Sequence, residues 1–157
     1  MSLHASAAGL VTLLALVLLT SSPASSQAEM TVLGGNPSMA ISAAVTGQEP
    51  TSITNTTCTL QWRRHNVLTK VTVATACPGQ RFTLSVVATS VSSGTAAPTV
   101  NLVNNMLAAD FIVGIPTSGT ATKTCRLSYT ASASFAQGNS TELGNDVHVV
   151  TYTLQAQ

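Results

Sequence analysis

The sequence predicts an all-β fold, an antiparallel sandwich of about seven to eight short strands. Three observations predict it. After residue 38, apolar side chains recur at every second position in run after run. Gly, Pro, Asn and Ser separate these runs at short, fairly even intervals. Beyond the first 28 residues no segment has a convincing helical period, and residues 104–109 suit at most one turn of helix.

The first element is not part of the sandwich. Residues 10–19 are an apolar run broken only by Thr12, followed by Thr20-Ser21-Ser22-Pro23 and small residues up to Ala28. Such a run is too short to cross a bilayer, which takes about 20 residues, but it suits the apolar region of an export signal. Ser26-Gln27-Ala28 has the small-x-small form of a cleavage site, although only His4 and the amino terminus supply positive charge ahead of the run. Residues 1–28 are therefore expected to be a cleaved signal peptide, which leaves 129 of the 157 residues, enough for one domain with a real core. The expected product is secreted or held at the cell surface, with no membrane span in the mature chain.

The remaining elements follow in order. Residues 29–33, Glu-Met-Thr-Val-Leu, read as a short strand, and Gly34-Gly35-Asn36-Pro37 as a hinge, so residues 29–37 form an N-terminal strand and hinge and residues 38–157 the sandwich. Met39, Ile41, Ala43 and Val45 alternate with small polar neighbours. Cys58, Leu60 and Trp62 share a face, as do Val67, Val71 and Val73. Phe82, Leu84, Val86 and Ala88 follow the Pro78-Gly79 turn, and Phe111, Val113 and Ile115 follow Asp110. The longest alternation runs from Cys125 to Phe135, and residues 146–154 close the chain with Val, Thr and Tyr. A Trp so soon after Cys58 departs from true immunoglobulin spacing, so the expectation is an Ig-like sandwich only. One internal echo stands out: residues 57–62 and 124–129 both read Thr-Cys-x-Leu-x-aromatic.

Composition narrows the function. Charged residues are 7% of the chain, the net charge is +1, and 45% of residues are hydrophobic. That balance excludes disorder and leaves too few clustered cations for nucleic acid. It also leaves little repulsion between copies.

Three cysteines in an exported chain predict one disulfide and one thiol. If Trp62 and Val67 flank a hairpin turn, Cys58 lies opposite Val71. Cys77 is then six residues further on, about 20 Å at the usual strand rise. The expected bridge is therefore Cys58–Cys125, with Cys77–Cys125 the alternative. Asn55-Thr56-Thr57 and Asn139-Ser140-Thr141 fit the glycosylation sequon, but also fit polar turns.

Catalytic and metal chemistry leave little trace. There is no Gly-x-Ser-x-Gly, no Cys-x-x-Cys and no His-x-x-x-His, and no Met follows Cys125 as a blue-copper site would need. Asp146 and His148 share a strand face and form the one candidate acid–base pair. The expectation is a non-enzymatic protein without a cofactor. Two binding features remain. Trp62-Arg63-Arg64-His65-Asn66 is a polar tip beside an aromatic, suited to stacking on a sugar ring or anchoring a protein. The 29–33 strand, through Met30, Val32 and Leu33, suits donation to the edge of another subunit.

Export signal, N-terminal strand, low-charge sandwich and terminal alternating strand together resemble, in architecture, pilin-like secreted fibre subunits. That resemblance implies a structural or adhesive surface protein that self-associates by strand exchange into a fibre or layer. The alternative is a glycan- or protein-binding module that uses the Trp62–Asn66 tip.

Overall fold

The computed structural model describes residues 28–63, 66–137 and 144–157. Residues 1–27 of the expected signal peptide, Arg64 and His65 of the tip, and the Asn139 sequon lie outside the described residues.

The alternating runs become strands in two antiparallel sheets. Among the described residues the strands are β1 (Glu29–Leu33), β2 (Ile53–Asn55), β3 (Thr59–Arg63), β4 (Thr69–Ala76), β5 (Thr83–Thr89), β6 (Thr95–Ala96), β7 (Val100–Leu102), β8 (Ala109–Ile115), β9 (Lys123–Ser132) and β10 (Val149–Ala156). A 3-10 turn, Phe135–Gln137, follows β9. The first sheet runs β1-β3-β9-β5-β7, with β2 also on β9; the second runs β10-β4-β8-β6. Among the described residues no helix is long and apolar enough to cross a membrane.

Period-2 alternation accounts for the core. In β3, Leu60 and Trp62 are buried while their neighbours are half-exposed, and in β9 Cys125, Leu127 and Tyr129 are buried between more exposed neighbours. Val71 and Val73 of β4 and Phe111 and Ile112 of β8 meet them from the second sheet in one continuous cluster. The sandwich-like arrangement thus follows from two sheets that each bury one face. Tyr129 and Tyr152 join the sheets by a hydroxyl–hydroxyl hydrogen bond of 2.9 Å.

Two sequence expectations fail here. Residues 38–45 are not a strand: they alternate in pattern, but Ala and Ser offer little area to bury, and only Met39 and Ile41 are half-buried. Trp62 and Val67 do not flank a hairpin either. β3 pairs with β1 and β9, while β4 pairs with β10 and β8 in the other sheet, so the link from Arg63 to Thr69 crosses between sheets. No Gly sits in that link to supply the left-handed backbone a tight hairpin turn uses.

Candidate functional site

β1 lies at the edge of the first sheet and pairs in register with β3, from Glu29 opposite Arg63 to Leu33 opposite Thr59. Met30 and Val32 stand opposite Trp62 and Leu60, on the face that turns toward the core. Met30 packs against the core, whereas Val32 and Leu33 remain 43% and 45% exposed. Glu29 Oε2 takes Arg63 Nε and its terminal nitrogen, both at 2.6 Å. Both side chains are about two-fifths exposed, so this pair contributes at most about 1 kcal/mol. The strand ends in two left-handed glycines, Gly34 (φ 103°) and Gly35 (φ 70°). Gly34 is obligatory: a Cβ there would lie 2.7 Å from the Thr57 carbonyl oxygen and 2.9 Å from Cys58 Cα.

After Gly34, residues 35–41 run beside an open groove of about 1210 Å³ between the sheets. Val32, Met39, Leu84, Tyr129, Val150 and Tyr152 line it. β1 and the start of β10 both border it.

Of the tip, Trp62, Arg63 and Asn66 are among the described residues. Trp62 is 1% exposed and belongs to the core, so no indole face reaches solvent. Its Nε1 has no hydrogen-bond partner. Arg63 is held by Glu29, and Asn66 is exposed. Asn55 of the first sequon closes a local turn, with Oδ1 accepting from Thr57 N at 3.0 Å and Thr57 Oγ1 at 2.8 Å.

The expected disulfide is absent: Cys58, Cys77 and Cys125 are all buried free thiols. The reason is register. Leu60 stands opposite Cys125, and Leu127 N donates to Cys58 O at 2.9 Å, so the two cysteines lie diagonally across β3 and β9. Diagonal neighbours are roughly 7–8 Å apart, beyond the roughly 4.4–6.8 Å between Cα atoms that a bridge spans. Cys58 Sγ instead faces the Gly35 carbonyl at 3.7 Å. Burial pushes the Cys125 thiol up to about 11 and also raises Tyr129 and Tyr152, so all these groups stay neutral in the core. The repeated Thr-Cys-x-Leu-x-aromatic motif now has a structural meaning. It is one antiparallel pair in which each Cys meets the other strand's Leu.

A second cluster was only half legible. Asp146 and His148 do come together, but with Cys77, whose donor atom lies with theirs inside a 4.8 Å span. The β4–β10 register pairs Ala76 with Val149, and one step further it brings His148 to Cys77. Spacing along the chain hides this, because the two residues flank strands that meet only in the folded sheet. Burial raises the Cys77 thiol, and the Asp146 carboxylate adds to the rise. Burial lowers His148, with Asp146 opposing. No family model, curated protein or solved structure matches this chain, so its function must be read from this geometry.

Proposed function

We propose that this chain is a secreted, non-enzymatic structural or adhesive surface protein that self-associates by exchanging β1 between subunits. The observation that carries the reading is β1 itself. Among the described residues it is a five-residue edge strand, bound along one side only, and two left-handed glycines follow it. A neighbour's β1 in the same slot would repeat every contact of the closed chain: Met30 over Trp62, Val32 opposite Leu60, Glu29 on Arg63. Exchange thus needs no new interface, only release of the strand. The outer edge of the second sheet adds support. β10, Val-Val-Thr-Tyr-Thr-Leu-Gln-Ala, carries no charge and no Pro, the residues that usually block edge-to-edge pairing. The Ig-like reading of the sandwich belongs to the same proposal, supported by two antiparallel sheets that share one buried core. The tip-binding alternative is the weaker reading, because its stacking ring is in the core.

Deleting residues 29–37 tests the reading. The expected result is loss of multimers in light scattering and of fibres or layers in negative-stain microscopy. Val32→Lys should weaken assembly in the same direction, since it sets a charge against the core face. Unchanged multimers in the truncated chain would refute strand exchange through β1.

A further inference from the structure

We propose that Cys77, Asp146 and His148 form a binding site for a divalent transition-metal ion, with zinc the best match. The proposal is independent of strand exchange. The first support is convergence from separate parts of the chain. Cys77 follows β4, and His148 and Asp146 precede β10, alternate residues on one face. Their sulfur, nitrogen and oxygen donors all lie within 4.8 Å of one another. Tetrahedral zinc, with bonds of about 2.0–2.3 Å, sets its donors roughly 3.3–3.7 Å apart. Small side-chain adjustments therefore suffice.

The second support is that each ligand is already held from behind, as metal ligands usually are. Asp146 Oδ2 accepts from the backbone N–H groups of Arg81 at 2.9 Å and Phe82 at 2.8 Å, which leaves Oδ1 for the ion. Thr75 Oγ1 lies 3.2 Å from His148 Nδ1, which leaves Nε2. Cys77 N donates to Asn104 Oδ1 at 2.8 Å, and Asn104 N donates to Gln80 Oε1 at 2.7 Å. The turn after β4, the start of β5 and the lead into β10 thus all fix this one point.

The donor set selects the metal class. Thiolate and imidazole disfavour magnesium and calcium, which take oxygen ligands. A blue-copper site would need a second His, and none is in this cluster. Thiolate and carboxylate together supply two negative charges, which match a divalent cation. Binding replaces the S–H bond by an S–metal bond and releases the proton to solvent, with no change in oxidation state. Cys77 is buried, whereas Asp146 and His148 are half-buried and border the groove, so an ion has a way in and a fourth position open to water.

Cobalt(II) titration of the chelator-treated protein tests this. The expected result is one cobalt per chain, a thiolate-to-cobalt charge-transfer band, and displacement by zinc. Cys77→Ser should abolish the band, and Asp146→Asn and His148→Gln should each weaken zinc binding at least tenfold. His148 is half-buried, so His148→Gln carries the test if the buried Cys77→Ser variant does not fold. Absence of a thiolate band in the unaltered protein, or undiminished zinc affinity in folded His148→Gln, would overturn the proposal.

Discussion

Replacing Tyr152 by Phe removes one oxygen atom and keeps the ring. The ring sits 5.2 Å from that of Phe111, tilted at 52°, and the substituted phenyl ring can keep that contact. What changes is the 2.9 Å bond to the Tyr129 hydroxyl. Tyr129 is 7% exposed and Tyr152 9%, so the hydroxyl left behind has little access to water. Stranding a buried hydroxyl costs about 1–3 kcal/mol, whereas removing both partners of a hydrogen bond is close to neutral. Tyr152→Phe and Tyr129→Phe should therefore each destabilise by about 1–3 kcal/mol. The double variant should lose no more than either single one, a coupling on the order of 1–3 kcal/mol. Urea unfolding reads this directly: about 2 kcal/mol moves the midpoint by about 1 M at a slope near 2 kcal/mol/M. If the double variant loses the sum of the two single losses, the hydroxyls do not bridge the sheets.

The same core and hinge make three more outcomes checkable. Alkali should unfold the protein early. Cys125 is raised from 9.0 to about 11, and both tyrosines are raised above 10.0, so the unfolded chain loses these protons first. Stability should hold below about pH 9 and fall as pH climbs through 11; a urea midpoint steady to about pH 11 contradicts this. Gly34→Ala forces a Cβ onto the backbone at Thr57 and Cys58. It should lower hydrogen-exchange protection in β1 by roughly five- to thirtyfold, the equivalent of about 1–2 kcal/mol, and leave β9 protected; equal loss in both strands would mean β1 is not a separate unit. Trp62→Phe removes an indole N–H that has no hydrogen-bond partner. Its cost should stay below about 2 kcal/mol, well under the roughly 3–5 kcal/mol typical of a Trp→Ala truncation, and a larger loss in urea unfolding would mean the N–H is satisfied.

The sequence made many strand residues legible where alternation carried bulk, but Val67 is 54% exposed, and in β8 Ile112 is buried where the period pointed to Val113. Leu60 and Trp62, Val71 and Val73, Phe111, and Cys125 to Tyr129 all face the core as their period predicts. Residues 38–45 show the limit, since the same period in Ala and Ser buries too little to secure a partner strand. β2, β6 and β7 span only two or three residues, too short for a period to be seen. Pairing was harder to read than strand content. A β3–β4 hairpin misplaces the link at Arg63, and the Cys58–Cys125 bridge fails because the β3–β9 register sets the two cysteines on a diagonal. The Cys77–Asp146–His148 cluster escaped for the same reason, because its members meet only through the β4–β10 register. Trp62 belonged to the core face in the sequence pattern itself, and its burial follows that pattern.

Strand exchange is tested most directly by locating β1 covalently. Thr31 stands opposite Gln61 in the β1–β3 register. Cysteines at directly opposed positions, with Cβ atoms about 4.5–5.5 Å apart, are close enough to cross-link under mild oxidation. Thr31→Cys protein and Gln61→Cys protein, mixed under assembly conditions and then oxidised, should give a covalent heterodimer in which the β1 peptide of one chain is joined to the β3 peptide of the other. The chain that carries both cysteines should give covalent multimers. If the mixture gives no heterodimer and the double variant links only within single chains, β1 stays in its own subunit and the account of assembly is wrong.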